Sequence, residues 1–264
     1  MMVFRAFRSE WVKLRRRTLL AGTYVALVVI AAFFTVLVFA RAGHPARGDR
    51  DRFVSLAELA QPDGLVLGLS RGAVLLGIVA FGIAAAQMAG EFTLGTIRQL
   101  LVRQPRRSTL IVGKHFAVLT FLAGALVLAM VSAGVSATAM AHVRHISTSA
   151  WTSSAGLADL ARTFANISLA TAGYATLGIL VGLVLRSAVL SVMVGLVYLL
   201  IFENVLSSIV SGAGRWLPGQ LLNTVASGGD NTTHFSTAVA TIVIYLGIGA
   251  AAGLAMFARS DVTA

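Results

Sequence analysis

Six long apolar runs decide what this chain can fold into. They cover residues 19–40, about 70–90, 116–141, 163–185, 187–211 and 235–258. A helix rises about 1.5 Å per residue, so roughly 20 apolar residues cross about 30 Å of hydrocarbon. Each run reaches that length. Glu203 is the one carboxylate inside a run, and Arg71, at the edge of the second, is long enough to reach back to the headgroups. The sequence therefore predicts an all-α polytopic membrane protein: six transmembrane helices in a single transmembrane domain over residues 1–264, with both termini on one side. The first run has 22 residues, longer than the roughly 7–15 of a secretion signal's apolar region. The stretches between runs, of which 41–71 is the longest, leave no room for a separate soluble domain.

Composition supports a lipid-facing chain. Hydrophobic residues make up 57% and charged residues 12%, about half the charge that a soluble surface carries. The net charge of +11 would suggest nucleic acid in a soluble protein; here it reports orientation, and no nucleic-acid partner is expected. With the N-terminus in the cytoplasm, thirteen Lys and Arg fall on the inner side and eight on the outer, as the positive-inside rule requires. Both termini are thus expected to be cytoplasmic. The absence of Cys excludes disulfides and thiol chemistry.

Residues 1–17 read as an interfacial helix. Val3, Phe4, Phe7, Trp11 and Leu14 share one helical face, and Arg5, Arg8, Lys13, Arg15 and Arg16 take the other. Aromatics toward lipid and cations toward anionic headgroups make such a helix lie on the bilayer. The segment 91–107 is the second informative stretch. Phe92, Leu94, Ile97, Leu100 and Leu101 give it an apolar side, Pro105 ends its helix, and Ser108 is placed to cap the next, which runs through Gly113-Lys114 into the third span. A short helix at the membrane edge with a charged exposed face is a docking surface for a cytoplasmic partner.

These motifs resemble a known family. Ser9-Glu10-Trp11-Val12-Lys13-Leu14-Arg15 is similar to the opening of type 2 ATP-binding-cassette (ABC-2) permeases. Glu91-Phe92, Gly95-Thr96-Ile97-Arg98, Leu100-Leu101, Pro105, Arg107 and Gly113-Lys114 resemble that family's segment after the second span. Trp216-Leu217-Pro218 resembles its outer re-entrant region. The resemblance implies an N-terminal connecting helix, six spans and a cytoplasmic coupling helix between spans two and three that seats on a separate ATPase. It implies two ATPase copies and a second permease chain, identical or paralogous, forming an exporter in a bacterial plasma membrane. On this reading Glu91, Thr93, Gly95, Thr96, Arg98, Arg103, Arg106 and Arg107 serve docking and force transfer; Phe4, Phe7, Trp11, Lys13 and Arg15 mark the interfacial helix. The chain binds no cofactor itself: Gly113-Lys114 has Ser108 where a phosphate loop needs glycine and His115 after the lysine, so ATP and Mg belong to the partner.

Other residues invite alternatives. Glu203, with Asn204 beside it, is either a functional intramembrane site or a side chain reaching the outer headgroups; a stand-alone proton-coupled carrier would use it. Gly68-x-Ser70-x-Gly72 matches a hydrolase elbow but lies at a helix entry, where no strand precedes it. His142 and His145 read as exposed histidines. Gly178-xxx-Gly182 and Gly249-xxx-Gly253 read as close helix packing.

Overall fold

The computed structural model describes residues 2–43, 54–96 and 107–259. The helices are α1 (Met2–Leu14), α2 (Arg17–Arg41), α3 (Leu56–Leu59), α4 (Leu67–Thr93), α5 (Arg107–Val143), α6 (Ser154–Leu185), α7 (Ala188–Val197), α8 (Glu203–Ile209), α9 (Pro218–Ser227) and α10 (Phe235–Arg259). Short 3₁₀ turns precede α4, α6 and α9, and a π-helical turn, Tyr198–Phe202, joins α7 to α8. Six helical stretches are long and apolar enough to cross a membrane: α2, α4, α5, α6, α7 through α8, and α10. The all-α polytopic architecture of six spans is thus present, and no strand occurs among the described residues.

Two helices start nine residues before their apolar runs. α5 begins at Arg107 and α6 at Ser154, where the sequence places spans from 116 and 163. The helical ladder extends beyond the apolar run because these turns find protein partners. Lys114 is buried, and the Ser153 hydroxyl caps α6 by accepting from the Gly156 N–H at 3.1 Å. Ser108 lies inside α5 rather than at its cap position.

The second span is the centre of the bundle. α4 packs against α2, α6, α7 and α9. Gly178 and Gly182 of α6 face it: Cβ atoms there would fall 2.3 Å from the Phe81 carbonyl oxygen and 2.8 Å from that of Ala85. Gly249 and Gly253 likewise abut Leu180 and Leu183 of α6. Both glycine pairs therefore serve packing within the chain. Spans five and six lie at the periphery, with only 22% and 11% of their apolar windows buried, against 61% for the second. α1 lies at one end of the bundle, the basal end, and the opposite end is distal. The distal end is closed by Trp151, whose ring meets Phe39 edge-on and whose Nε1–H donates to the Leu59 carbonyl at 3.0 Å. His142 and His145 are exposed there, and Ser70 sits in the first turn of α4 with its hydroxyl donating to the Leu67 carbonyl.

Candidate functional site

At the basal end, three segments far apart in sequence meet through four charged side chains. Lys114 of α5 is 1% exposed. Its Nζ donates to Glu10 of α1 at 2.5 Å, to Glu91 of α4 at 2.9 Å and to the Gln87 carbonyl at 3.2 Å. Lys13 of α1 closes the square, donating to Glu10 at 2.6 Å and Glu91 at 2.8 Å. Two acids and two lysines make the cluster neutral. Glu10 and Glu91 are 3% and 6% exposed. Burial opposes the ionisation of Glu10, yet Lys114 and Lys13 outweigh it and hold its pKa below the ordinary 4.5. Burial also opposes the charge on Lys13, and its bonds to the two carboxylates raise its pKa above 10.5 all the same.

The helices come close enough for this because of Gly113. A Cβ on it would lie 2.5 Å from the Ala6 Cβ and 3.0 Å from the Phe7 nitrogen. The buried stripe of α1 is accordingly Ala6, Glu10 and Leu14, laid against the start of α5. This corrects the sequence reading of α1 at two residues. Leu14, placed with the lipid-facing aromatics, is buried in the core. Lys13, placed with the cations facing headgroups, turns into the cluster. Phe4, Phe7 and Trp11 form a ladder of stacked rings with centroids 6.4 and 5.9 Å apart, of which Phe4 is 69% exposed. Arg15 is exposed just past the end of α1.

The segment after the second span begins later than its motif does. Glu91, Phe92 and Thr93 are the last turn of α4 itself, and Leu94 caps it. Gly95 then adopts φ +67°, a conformation that side chains disfavour. The Thr96 hydroxyl turns back to the Glu91 carbonyl at 3.4 Å. Arg98, Arg103 and Arg106 lie outside the described residues, as does the side chain of Arg107. The face of the turn away from Glu91 contacts the tight connection between α6 and α7. The Thr93 hydroxyl donates to the Ala89 carbonyl and accepts the N–H of Ala188, the first residue of α7, both at 3.2 Å. The Arg186 guanidinium lies 5.5 Å above the Phe92 ring. One helical turn thus joins α1 and α5 on one side and α6 and α7 on the other.

A family model described as ABC-2 family transporter protein matches residues 6–202. The chain belongs to the ABC-2 transporter family. A comparison with curated proteins returns no match. The matched stretch holds all four residues of the charged cluster and the junction at Thr93. Membership makes this ABC-2 protein a multi-pass membrane protein of the permease kind, and such membrane proteins in general pair with an ABC ATPase. Glu10 and Lys114 stand in the quoted motifs, but sequence reasoning gave them no role. The signals were present: Glu10 is the only acid in a basic helix, and Lys114 is a charge two residues before a long apolar run.

Of the two readings that its sequence leaves open for Glu203, the structure disagrees with the one that extends it outward. Its carboxylate is fully buried and turns inward, accepting the backbone N–H groups of Gly219 and Gln220 at 2.9 Å each. These are the first free donors of α9, whose opening residue is Pro218. The carboxylate is therefore the N-terminal cap of α9 and points into the bundle. Asn204 does not bond across helices; its amide donates to the Leu199 and Leu200 carbonyls of its own span at 3.3 and 3.0 Å.

Proposed function

We propose that this chain is the membrane-spanning permease subunit of an ATP-driven exporter. Two such chains, identical or paralogous, assemble with two copies of an ABC ATPase in a bacterial plasma membrane, with both termini cytoplasmic. ATP and Mg bind the ATPase. The segment 91–107 seats on that partner, and its movement passes to the spans through the last turn of α4. The observation that carries this reading is the buried Glu10–Lys13–Glu91–Lys114 cluster. It binds the connecting helix, the second span and the third span at the two ends of the docking segment. A push on the segment then moves these elements together rather than bending one of them. The basic residues of the segment supply the docking charge, and the stacked Phe4, Phe7 and Trp11 keep α1 at the lipid surface while it moves.

Glu203 supports this reading against a proton-coupled carrier, since both of its oxygens are occupied by backbone N–H groups. The test is co-expression with the ATPase. The intact chain retains the ATPase through purification and alters its turnover. Arg98→Glu weakens retention while the permease stays folded. Normal retention and turnover with residues 96–103 scrambled would show that the segment is no docking site.

A further inference from the structure

The fifth span is two half-helices held by different contacts to the same packed core of Phe81, Tyr174 and Leu222. The basal half, α7, is pressed onto the second span, where Gly195 lies so close to Phe81 that a Cβ would sit 2.0 Å from the ring. The distal half, α8, buries a single residue, Glu203; Val205 and Ile209 are 49% and 75% exposed. Between the halves stands the π-helical turn Tyr198–Phe202, whose i→i+5 bonds interrupt the regular ladder, and such turns are among the places where helices kink. Asn204 covers two of its carbonyl oxygens.

The distal half is seated by the bonds from Glu203 to the N-terminus of α9, beside the packing of Leu199 on Gly219. Both carboxylate oxygens are used, the bonds are charge-assisted, and they meet the positive end of a helix. The receiving corner is fixed from two sides. The Tyr174 hydroxyl of the fourth span donates to the Gly219 carbonyl at 2.9 Å, and Leu221, Leu222 and Val225 bury α9 in the core. Partial withdrawal of the carboxylate would leave two buried or half-buried N–H groups unpaired, which is costly. The contact is therefore made or broken as a whole, as a two-position element requires.

We infer that Glu203 is a positioning residue that latches the distal half of the fifth span, and that this half-span swings on the π-helical turn as the distal gate of transport. The inference rests on the coupling reading above, because nucleotide-driven movement at the basal end must reach the distal end for the gate to serve.

The natural sequence has no Cys, so spin labels go only where cysteines are introduced. Met193→Cys and Ile209→Cys, on exposed positions of the two halves (56% and 75%), read the angle across the turn over about 24 Å of helix. Val12→Cys and Val189→Cys, 67% and 73% exposed, read the basal end. The labelled chain, diluted with cysteine-free chain and assembled with its ATPase in nanodiscs, is measured by pulsed electron resonance with and without a non-hydrolysable ATP analogue. The 193–209 distance is expected to be single and narrow without nucleotide and to gain a second component with the analogue. Glu203→Gln, which keeps the side-chain size and one carbonyl acceptor, shows the second component without nucleotide, and Glu203→Ala shows more of it. A single unchanged distance in both variants overturns the latch. A basal pair that answers nucleotide while the 193–209 pair never does overturns the gate. If neither pair answers nucleotide in the natural sequence, the coupling reading falls, whatever the Glu203 variants do to the resting distance.

Discussion

Lys114 and Glu10 are 104 positions apart, and their side chains meet at 2.5 Å in a site closed to solvent. A buried ion pair gains little over a well-packed apolar pair, but removing one member strands the other charge at a cost of about 3–5 kcal/mol. Lys114→Met is therefore expected to destabilise the protein by roughly that amount. Adding Glu91→Leu, which restores neutrality, should recover part of the loss. Lys13→Met removes a side chain that is about a third exposed, and screening limits its cost to about 1 kcal/mol. Thermal unfolding in one detergent ranks the four proteins. Equal midpoints for Lys114→Met and Lys13→Met would show that Lys114 is not the keystone.

The same cluster sets a pH window. The fold lowers the pKa of Glu10 from 4.5, so ionised Glu10 stabilises the folded state. That contribution is complete above about pH 4.5 and fades as pH falls through the lowered folded value. The fold raises the pKa of Lys13 from 10.5, so its contribution is complete below that pH and fades as pH rises through the raised value. Thermal midpoints are expected to hold a plateau between these limits. Glu10→Gln should lower the plateau and flatten its acid edge; an acid edge identical in Glu10→Gln and the natural protein would place the titration elsewhere.

Gly113 gives a steric test of the docking of α1. Gly113→Ala sets a methyl group 2.5 Å from the Ala6 Cβ, and overpacking of this kind costs about 1–3 kcal/mol. The helix must move outward and pull Glu10 from Lys114. Ala6→Gly removes the opposing methyl and is expected to restore much of the loss, although the Phe7 nitrogen stays close. Failure of Ala6→Gly to help would mean that the clash is relieved elsewhere. Protease cleavage within residues 1–17 reports whether α1 has lifted.

How much of this was legible follows from what each feature depends on. The six spans were legible because bilayer thickness imposes a length on each helix, and no tertiary contact can change it. The stacked Phe4, Phe7 and Trp11 were legible because one helical period places them together. The charged cluster was not, because the side of α1 that faces the bundle depends on Gly113 admitting it, and one glycine among 26 carries no label. Periodicity even pointed the wrong way for Lys13, whose attraction to Glu10 and Glu91 outweighs its preference for water. Glu203 was conspicuous as an intramembrane acid, but its partners are main-chain N–H groups 16 and 17 positions onward. Those become available only when the chain re-enters the bundle at α9. The π-helical turn leaves no mark in hydropathy at all.

The junction between Thr93 and Ala188 can be cut from either side without unfolding a helix. Thr93→Val keeps the shape and loses the acceptor. Ala188→Pro removes the donor. Ala188 is the first residue of α7, where proline is well tolerated because its missing N–H serves no helical bond. Ser187 before it is extended, at φ −127° and ψ 122°, as a residue preceding proline must be. A hydrogen bond of this kind contributes about 0.5–1.5 kcal/mol. If it carries movement from the second span to the fifth, each variant should lower the permease's effect on ATPase turnover by about two- to tenfold. Both remove the Thr93–Ala188 bond, and Thr93→Val also loses the bond to the Ala89 carbonyl, so the double variant should be no worse than Thr93→Val alone, a coupling that a double-mutant cycle measures directly. Effects that multiply would show that Thr93 and Ala188 act through separate contacts.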